Sequence, residues 1–172
     1  GEYSVIVTSI GTAGARMVRV LKTLSRVPER TLALRLFQAP SLLFGNLSAD
    51  VAEQAVSALR GAGIECEARH RAEAFVPGDS DHELALSMRS FDRMSSVVEA
   101  VMHLLGVDVQ QAKQMLCASP AVLVGRISRA TAENVQKRFE PLGAEVDISR
   151  PELARFDAFL GACPAGVATQ VR

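Results

Sequence analysis

The residues of this chain best equipped for chemistry are three histidines, His70, His82 and His103, and three cysteines, Cys66, Cys117 and Cys163. Metal sites and nucleophilic centres need such groups at short fixed spacings, so that several donor atoms converge on one point. No CxxC pair occurs, and three thiols cannot all pair with one another. The histidines read as two linker residues and one at a helix edge, none with a cysteine or carboxylate at ligand spacing. Cys66 alternates with Ile64 as strand residues do, and Cys117 falls on an amphipathic helix. Both are expected as small core residues, reduced in a cytoplasmic protein. Gly11 and Gly14 in IGTAG follow a strand and precede a helix, where an anion could sit on the helix N-terminus. Neither GxGxxG nor GxxxxGKS is present, however, and no lysine accompanies the glycines. No Ser-His-Asp arrangement or carboxylate pair stands out. The expectation is therefore a protein that is not an enzyme, with no metal and no cofactor.

Charge is the other resource. Arg16, Arg19, Lys22 and Arg26 recur at steps of three or four residues, one helix face with four cations and no acid. A face that only meets solvent usually mixes signs, because opposite charges at i and i+4 support the helix. The ridge is a local concentration, since the whole chain balances 19 Lys and Arg against 19 Asp and Glu. An acidic protein surface suits such a ridge better than a nucleic-acid backbone, which recruits a broader basic field. With no Trp and one Tyr, a base-stacking platform is also disfavoured.

These residues must be held by a folded core. Hydrophobic residues make up 48% of the 172 positions and charged residues 22%, the balance of a globular chain, not of a disordered one. No apolar run reaches the ~20 residues that span a bilayer, and GEYSVIVTSI has no basic segment followed by a long apolar one, so neither a membrane span nor a secretory signal is expected. The chain opens on Gly1 in place of Met, as an excised piece of a longer protein would.

Taken in order, YSVIVTS reads as a strand and residues 13–27 as a helix N-capped by Thr12, with Met17, Val20, Leu21, Leu24 and Val27 as its core stripe. A second helix spans 29–38 and stops before Pro40, and SLLFGN is a short strand. Ser48 caps a helix over 48–61 that turns Val51, Ala52, Ala55 and Leu59 inward, and IECEA is the next strand. The stretch 70–81, HRAEAFVPGDSD, has linker composition. Beyond it the order recurs: ELALSM, helices over 93–105 and 108–118, AVLVGRI, a helix over 128–141, and GAEVDI. Pro40, Gly45, Ser48, Ala52, Glu53, Gly63 and Glu65 reappear 80 residues later as Pro120, Gly125, Ser128, Ala132, Glu133, Gly143 and Glu145. The expected class is α+β: two tandem β-α-α-β-α-β domains, each a three-stranded sheet with helices on one face. The first covers 1–69, the linker 70–81 and the second 82–150. A terminal helix and tail, 151–172, place Phe156, Phe159 and Leu160 against some other surface.

Residues 106–148 resemble the C-terminal domain of the bacterial ribosomal large-subunit stalk protein. The resemblance is carried by Gly106, Val109, Ala112 and Lys113, by Ser119-Pro120 with Leu123, by Ile127-Ser128 and Ala132-Glu133, and by Gly143-Ala144-Glu145-Val146. It runs without a gap from about Met94 to Ile148 and reaches the first copy through the repeat. What resembles the stalk protein is the domain; its N-terminal dimerisation helices and Ala-rich hinge have no counterpart here.

In that family the domain recruits translation GTPases through its first two helices, with basic residues beside small apolar ones. The resemblance places those positions in the second copy on Met94, Glu99 and Met102, with only Lys113 still basic. In the first copy they fall on Arg19, Lys22 and Arg30, with Val18 as the apolar neighbour and Ala33 opposite Lys113. A similar fold occurs in the adaptor that hands N-degron substrates to the Clp protease, but the acidic residues and histidine that hold a substrate amino group are missing here. The expected function is a non-enzymatic interaction or assembly module that docks a partner protein, or copies of itself. Arg16, Val18, Arg19, Lys22, Arg26, Arg30 and Lys113 would contact the partner, with apolar contacts from Met94, Val98 and Met102. The alternative is a nucleic-acid-binding domain that uses the same basic helix.

Overall fold

The computed structural model describes residues 1–118 and 120–153. The chain forms two sheet-containing units of α+β class. In the first, β1 (Tyr3–Ser9), α1 (Arg16–Leu24), α2 (Glu29–Phe37), β2 (Ser41–Leu47), α3 (Ala49–Gly61) and β3 (Glu65–His70) follow one another. The second repeats that order with β4 (His82–Met88), α4 (Met94–Leu105), α5 (Val109–Cys117), β5 (Ala121–Ile127), α6 (Arg129–Phe139) and β6 (Ala144–Ser149). Each sheet is antiparallel with the first strand in the middle, β2-β1-β3 and β5-β4-β6.

The local signals act at matching places. Ser48 Oγ accepts the Val51 N–H and Ser128 Oγ the Thr131 N–H, which satisfies amides that a helix start leaves free. Asp108 and Gln111 close a reciprocal capping box at the start of α5. Asn46 and Arg126 both adopt positive φ just before these caps, at the same distance from Ser48 and Ser128. Each unit has its own apolar cluster. One is built on Val5, Val7, Leu32, Leu36 and Leu43, the other on Leu84, Leu86, Val101, Leu104 and Phe139. Phe37, at the end of α2, packs against both.

Several expectations need correction. Helix α1 is shorter than 13–27. The N-cap position is Ala15, which offers no capping side chain; Thr12 stands three residues earlier, with its N–H donating to Gly63 O. At the other end Ser25 is extended, whereas α4 is closed by Gly106 in the left-handed region (φ 68°). The α1 core stripe is also rotated. Val18 and Leu21 are buried, while Val20 is 49% and Leu24 74% exposed. In α3, Val51 faces solvent and Val56 takes the inward position. Cys66 is buried as expected, but Cys117 is exposed.

The linker is docked. Arg71 N–H donates to Glu2 O, Gly78 N–H donates to Pro40 O, and the Asp79 carboxylate accepts the Arg129 N–H at the start of α6. A Cβ on Gly78 would lie 2.5 Å from the carbonyls of Gln38 and Ala39, so the strap passes too close for any other residue. A 3-10 turn, Pro151–Leu153, follows β6. Phe156, Phe159 and Leu160 lie outside the described residues.

Candidate docking surfaces

The GTAG loop shows how the two units meet. Three of its amides donate within the first unit, Gly11 N–H to Ser9 Oγ, Thr12 N–H to Gly63 O and Ala13 N–H to Ile10 O, and the following Ala15 N–H crosses to Leu104 O. Its carbonyls point outward, and Arg138 on α6 reaches them, donating to Ala13 O at 2.9 Å and to Thr12 O at 3.4 Å. His103 Nε2 lies 2.8 Å from Thr12 O. A loop that presents carbonyls to a guanidinium is the opposite of an anion cradle. Gly14 is required here because a Cβ would stand 2.0 Å from His103 O. Ser128 N–H donates to Phe37 O, and Gln38 Nε2 to Arg126 O. Burial of Arg138 pushes its guanidinium pKa down, since desolvation disfavours the charged form.

The histidines do find carboxylates. His82 is buried, with Nδ1 2.7 Å from Asp79 Oδ1 and 3.3 Å from Asp81 Oδ1. The sequence reading missed this cluster of Asp79, Asp81 and His82 because it treated the linker as unstructured. Asp79 accepts the Arg129 amide at the start of α6 and Asp81 Oδ2 accepts from Arg150, while Asp81 Oδ1 is buried without a hydrogen-bond partner. That arginine holds the Asp81 carboxyl below the ordinary carboxylate pKa. The arrangement locks the strap to the second unit. His70 sits edge-on to the Tyr3 ring, 5.5 Å between centroids. Burial pushes the Cys66 thiol pKa up, which leaves it a weak nucleophile.

The expected contact residues divide sharply. Arg16, Arg19, Lys22, Arg26 and Arg30 are all exposed. None of them forms an ion pair among the described residues. Lys113 is exposed on α5. By contrast Val18 is 3% and Val98 4% exposed, so both belong to the cores and cannot meet a partner. Met94 and Met102 are half-buried against the second core. The apolar surface lies elsewhere, in a groove of about 510 Å³ between α1, α3 and β2, where Val20, Leu24 and Val51 are exposed. Sequence reasoning missed it by assigning these three residues inward.

The second unit thus has a β-α-α-β-α-β order with β4 central and a left-handed glycine closing α4. Residues 87–149 match the ribosomal protein L7/L12 C-terminal domain. Among similar proteins, the large ribosomal subunit protein bL12 of Pseudomonas entomophila is 32% identical over 57 residues, 33% of this chain and 47% of that protein. The bL12 of Borrelia turicatae is 30% identical over 76 residues, 44% of this chain and 62% of that protein. That of Buchnera aphidicola is 36% identical over 53 residues, 31% and 43% respectively. The chain thus spans about half the length of the curated relatives it matches. The likeness is to the L7/L12 C-terminal domain and not to the whole ribosomal protein. Among the described residues no helix is long and apolar enough to cross a membrane.

Proposed function

We propose that the chain is a non-enzymatic docking module of two L7/L12-like domains, 1–69 and 82–150, in which the first presents the docking face and the second, strapped to it through 70–81, acts as a platform. The observation that carries this reading is the set of exposed, unpaired cations Arg16, Arg19, Lys22 and Arg26 on and just beyond a nine-residue helix without acids. Free cations on a rigid element steer an oppositely charged partner and set its orientation. The interface between the units supports the same assignment. It takes in the C-terminal end of α4, Arg138 of α6 and the Phe37–Ser128 contact and leaves the solvent side of α1 open, so the two domains are unequal in what they offer. The cytoplasm is the compartment that fits a reduced, L7/L12-like module.

The experiment is charge reversal. The triple variant Arg16→Glu, Arg19→Glu, Lys22→Glu, with thermal unfolding matched to the parent, is expected to lose partner recovery in a pulldown from the source cells. Unchanged recovery rejects the ridge. Steep salt-dependent binding to generic RNA or DNA, lost in the same variant, would assign the ridge to nucleic acid.

A further inference from the structure

The first sheet ends on β3, and among the described residues no strand pairs with its outer edge. Its ladder to β1 is regular from His70 to Cys66, so alternate residues turn their amide and carbonyl groups outward. Three hydrogen bonds fix which ones. Arg71 N–H reaches inward to Glu2 O, whereas Cys66 O accepts from Arg60 Nε of α3 and His70 O accepts from the Glu73 N–H. Cys66, Ala68 and His70 therefore face the open edge. Beside Ala68 that edge borders a hollow of about 460 Å³ against α3.

The residues between them carry a pattern of signs. From Glu65 to Arg71 the sequence is ECEARHR, with acids at 65 and 67 and cations at 69 and 71, all on one face of the strand. Read backwards, every acid meets a cation. With a second copy antiparallel and Ala68 opposite Ala68, Glu67 stands opposite Arg69 and Glu65 opposite Arg71, on both sides of the two-fold axis. Moving the axis to Cys66 sets Glu65 against Glu67, and moving it to His70 sets Arg69 against Arg71, which is destabilising. We infer that β3 is a self-pairing edge, through which two copies of the chain join their first sheets antiparallel with the axis at Ala68. This goes beyond the docking reading and does not rest on it, since no cation of the basic ridge takes part.

The groups needed are available. The Cys66 and His70 carbonyls each accept one hydrogen bond already and keep a second lone pair for the facing amide. Glu67 Oε1 and Arg69 Nε are paired within the strand at 2.5 Å, and Arg69 Nη1 donates to Ala74 O, which leaves Glu67 Oε2 and Arg69 Nη2 for the other copy. Charges on an edge strand ordinarily keep sheets apart. β6 shows that ordinary case: an axis on Val146 sets Glu145 against Asp147, and one on Ile148 sets Asp147 against Ser149 and Glu145 against Pro151.

An edge pairing of this length buries less than the ~1,200 Å² of a stable interface, so the dimer is a transient one. Sedimentation equilibrium of the full chain in reducing buffer, from micromolar to millimolar concentration, should show a monomer–dimer equilibrium that weakens with salt. Glu67→Arg sets cation against cation and Arg69→Glu sets acid against acid, and each should weaken dimerisation by about tenfold or more. An equimolar mixture of the two variants should dimerise as the parent does, because every facing pair is again of opposite sign. Neither variant regains its own in-strand pair in the mixture, so a purely structural role for Glu67 and Arg69 predicts no such rescue. Ala68→Pro removes an outward amide that β1 does not use and should abolish the dimer, with matched circular-dichroism melts. A parent that stays monomeric throughout overturns the proposal. So does a dimer that both charge variants keep, or a mixture that stays monomeric. Self-association lost in the Arg16, Arg19 and Lys22 charge-reversal variant assigns it to the basic helix and likewise overturns pairing through β3.

Discussion

In the second unit Leu104, in the last turn of α4, lies inside the core, whereas Leu24, its counterpart 80 residues earlier, ends α1 in solvent. The same contrast runs along the third helices, where Phe139 is fully enclosed and Leu59 borders an open groove. The helix ends explain much of it. Gly106 adopts a left-handed conformation and accommodates α4 to its last residue, while Ser25 turns the chain out one residue after Leu24. One order of elements therefore supports a closed domain and an open one. Burial needs both an apolar sequence and a backbone that carries each residue inward.

The largest expected effect lies in the closed core. Phe139→Ala should cost about 3–5 kcal/mol in urea unfolding, and Leu104→Ala about 2–5 kcal/mol. Leu24→Ala should stay within about 0.5 kcal/mol of the parent, as surface changes do. A similar loss at Leu24 and Leu104 would erase the contrast between the units. A gentler probe is Leu59→Phe, which gives the first unit the residue of the second. Enlarging a close-packed core costs about 1–3 kcal/mol; with a groove alongside, this change should cost less than that lower bound.

Much of this architecture could be read in the residues. Ser48 and Ser128, each placed to cap a helix, and the turns at Gly63 and Gly143 mark boundaries wherever they occur, so element order and sheet class follow from local chemistry. The facing of α1 does not, because the helix carries apolar residues on two sides and the choice of Val18 over Val20 depends on packing. The joint between the units left no pattern either. It is built from carbonyls of the GTAG loop, which any residue supplies, and from Arg138, which looks like an ordinary surface cation until the fold brings it to them. Asp79 and His82 were hidden in a linker-like stretch for the same reason.

Smaller effects refine the comparison at the joint and the strap. Arg138→Ala should cost about 1.5–3 kcal/mol, the range for hydrogen bonds made by a charged group, seen as a lower urea midpoint. Asp81→Asn should show a pH signature. Its folded-state pKa is depressed, so its pairing with Arg150 stabilises the fold fully above the unfolded-state value near 3.8 and fades as pH falls below it. The gap in melting temperature between parent and variant should therefore hold at neutral pH and close in acid. A gap that widens in acid would reverse the sign.

Phe37 ends α2 with its ring shared by two apolar clusters and its carbonyl holding the Ser128 amide. Loosening either unit strips one side of that ring, so thermal disorder that begins in one half is transmitted to the other. Calorimetry should then record a single cooperative peak whose van't Hoff and calorimetric enthalpies agree, and Phe37→Ala should split it in two.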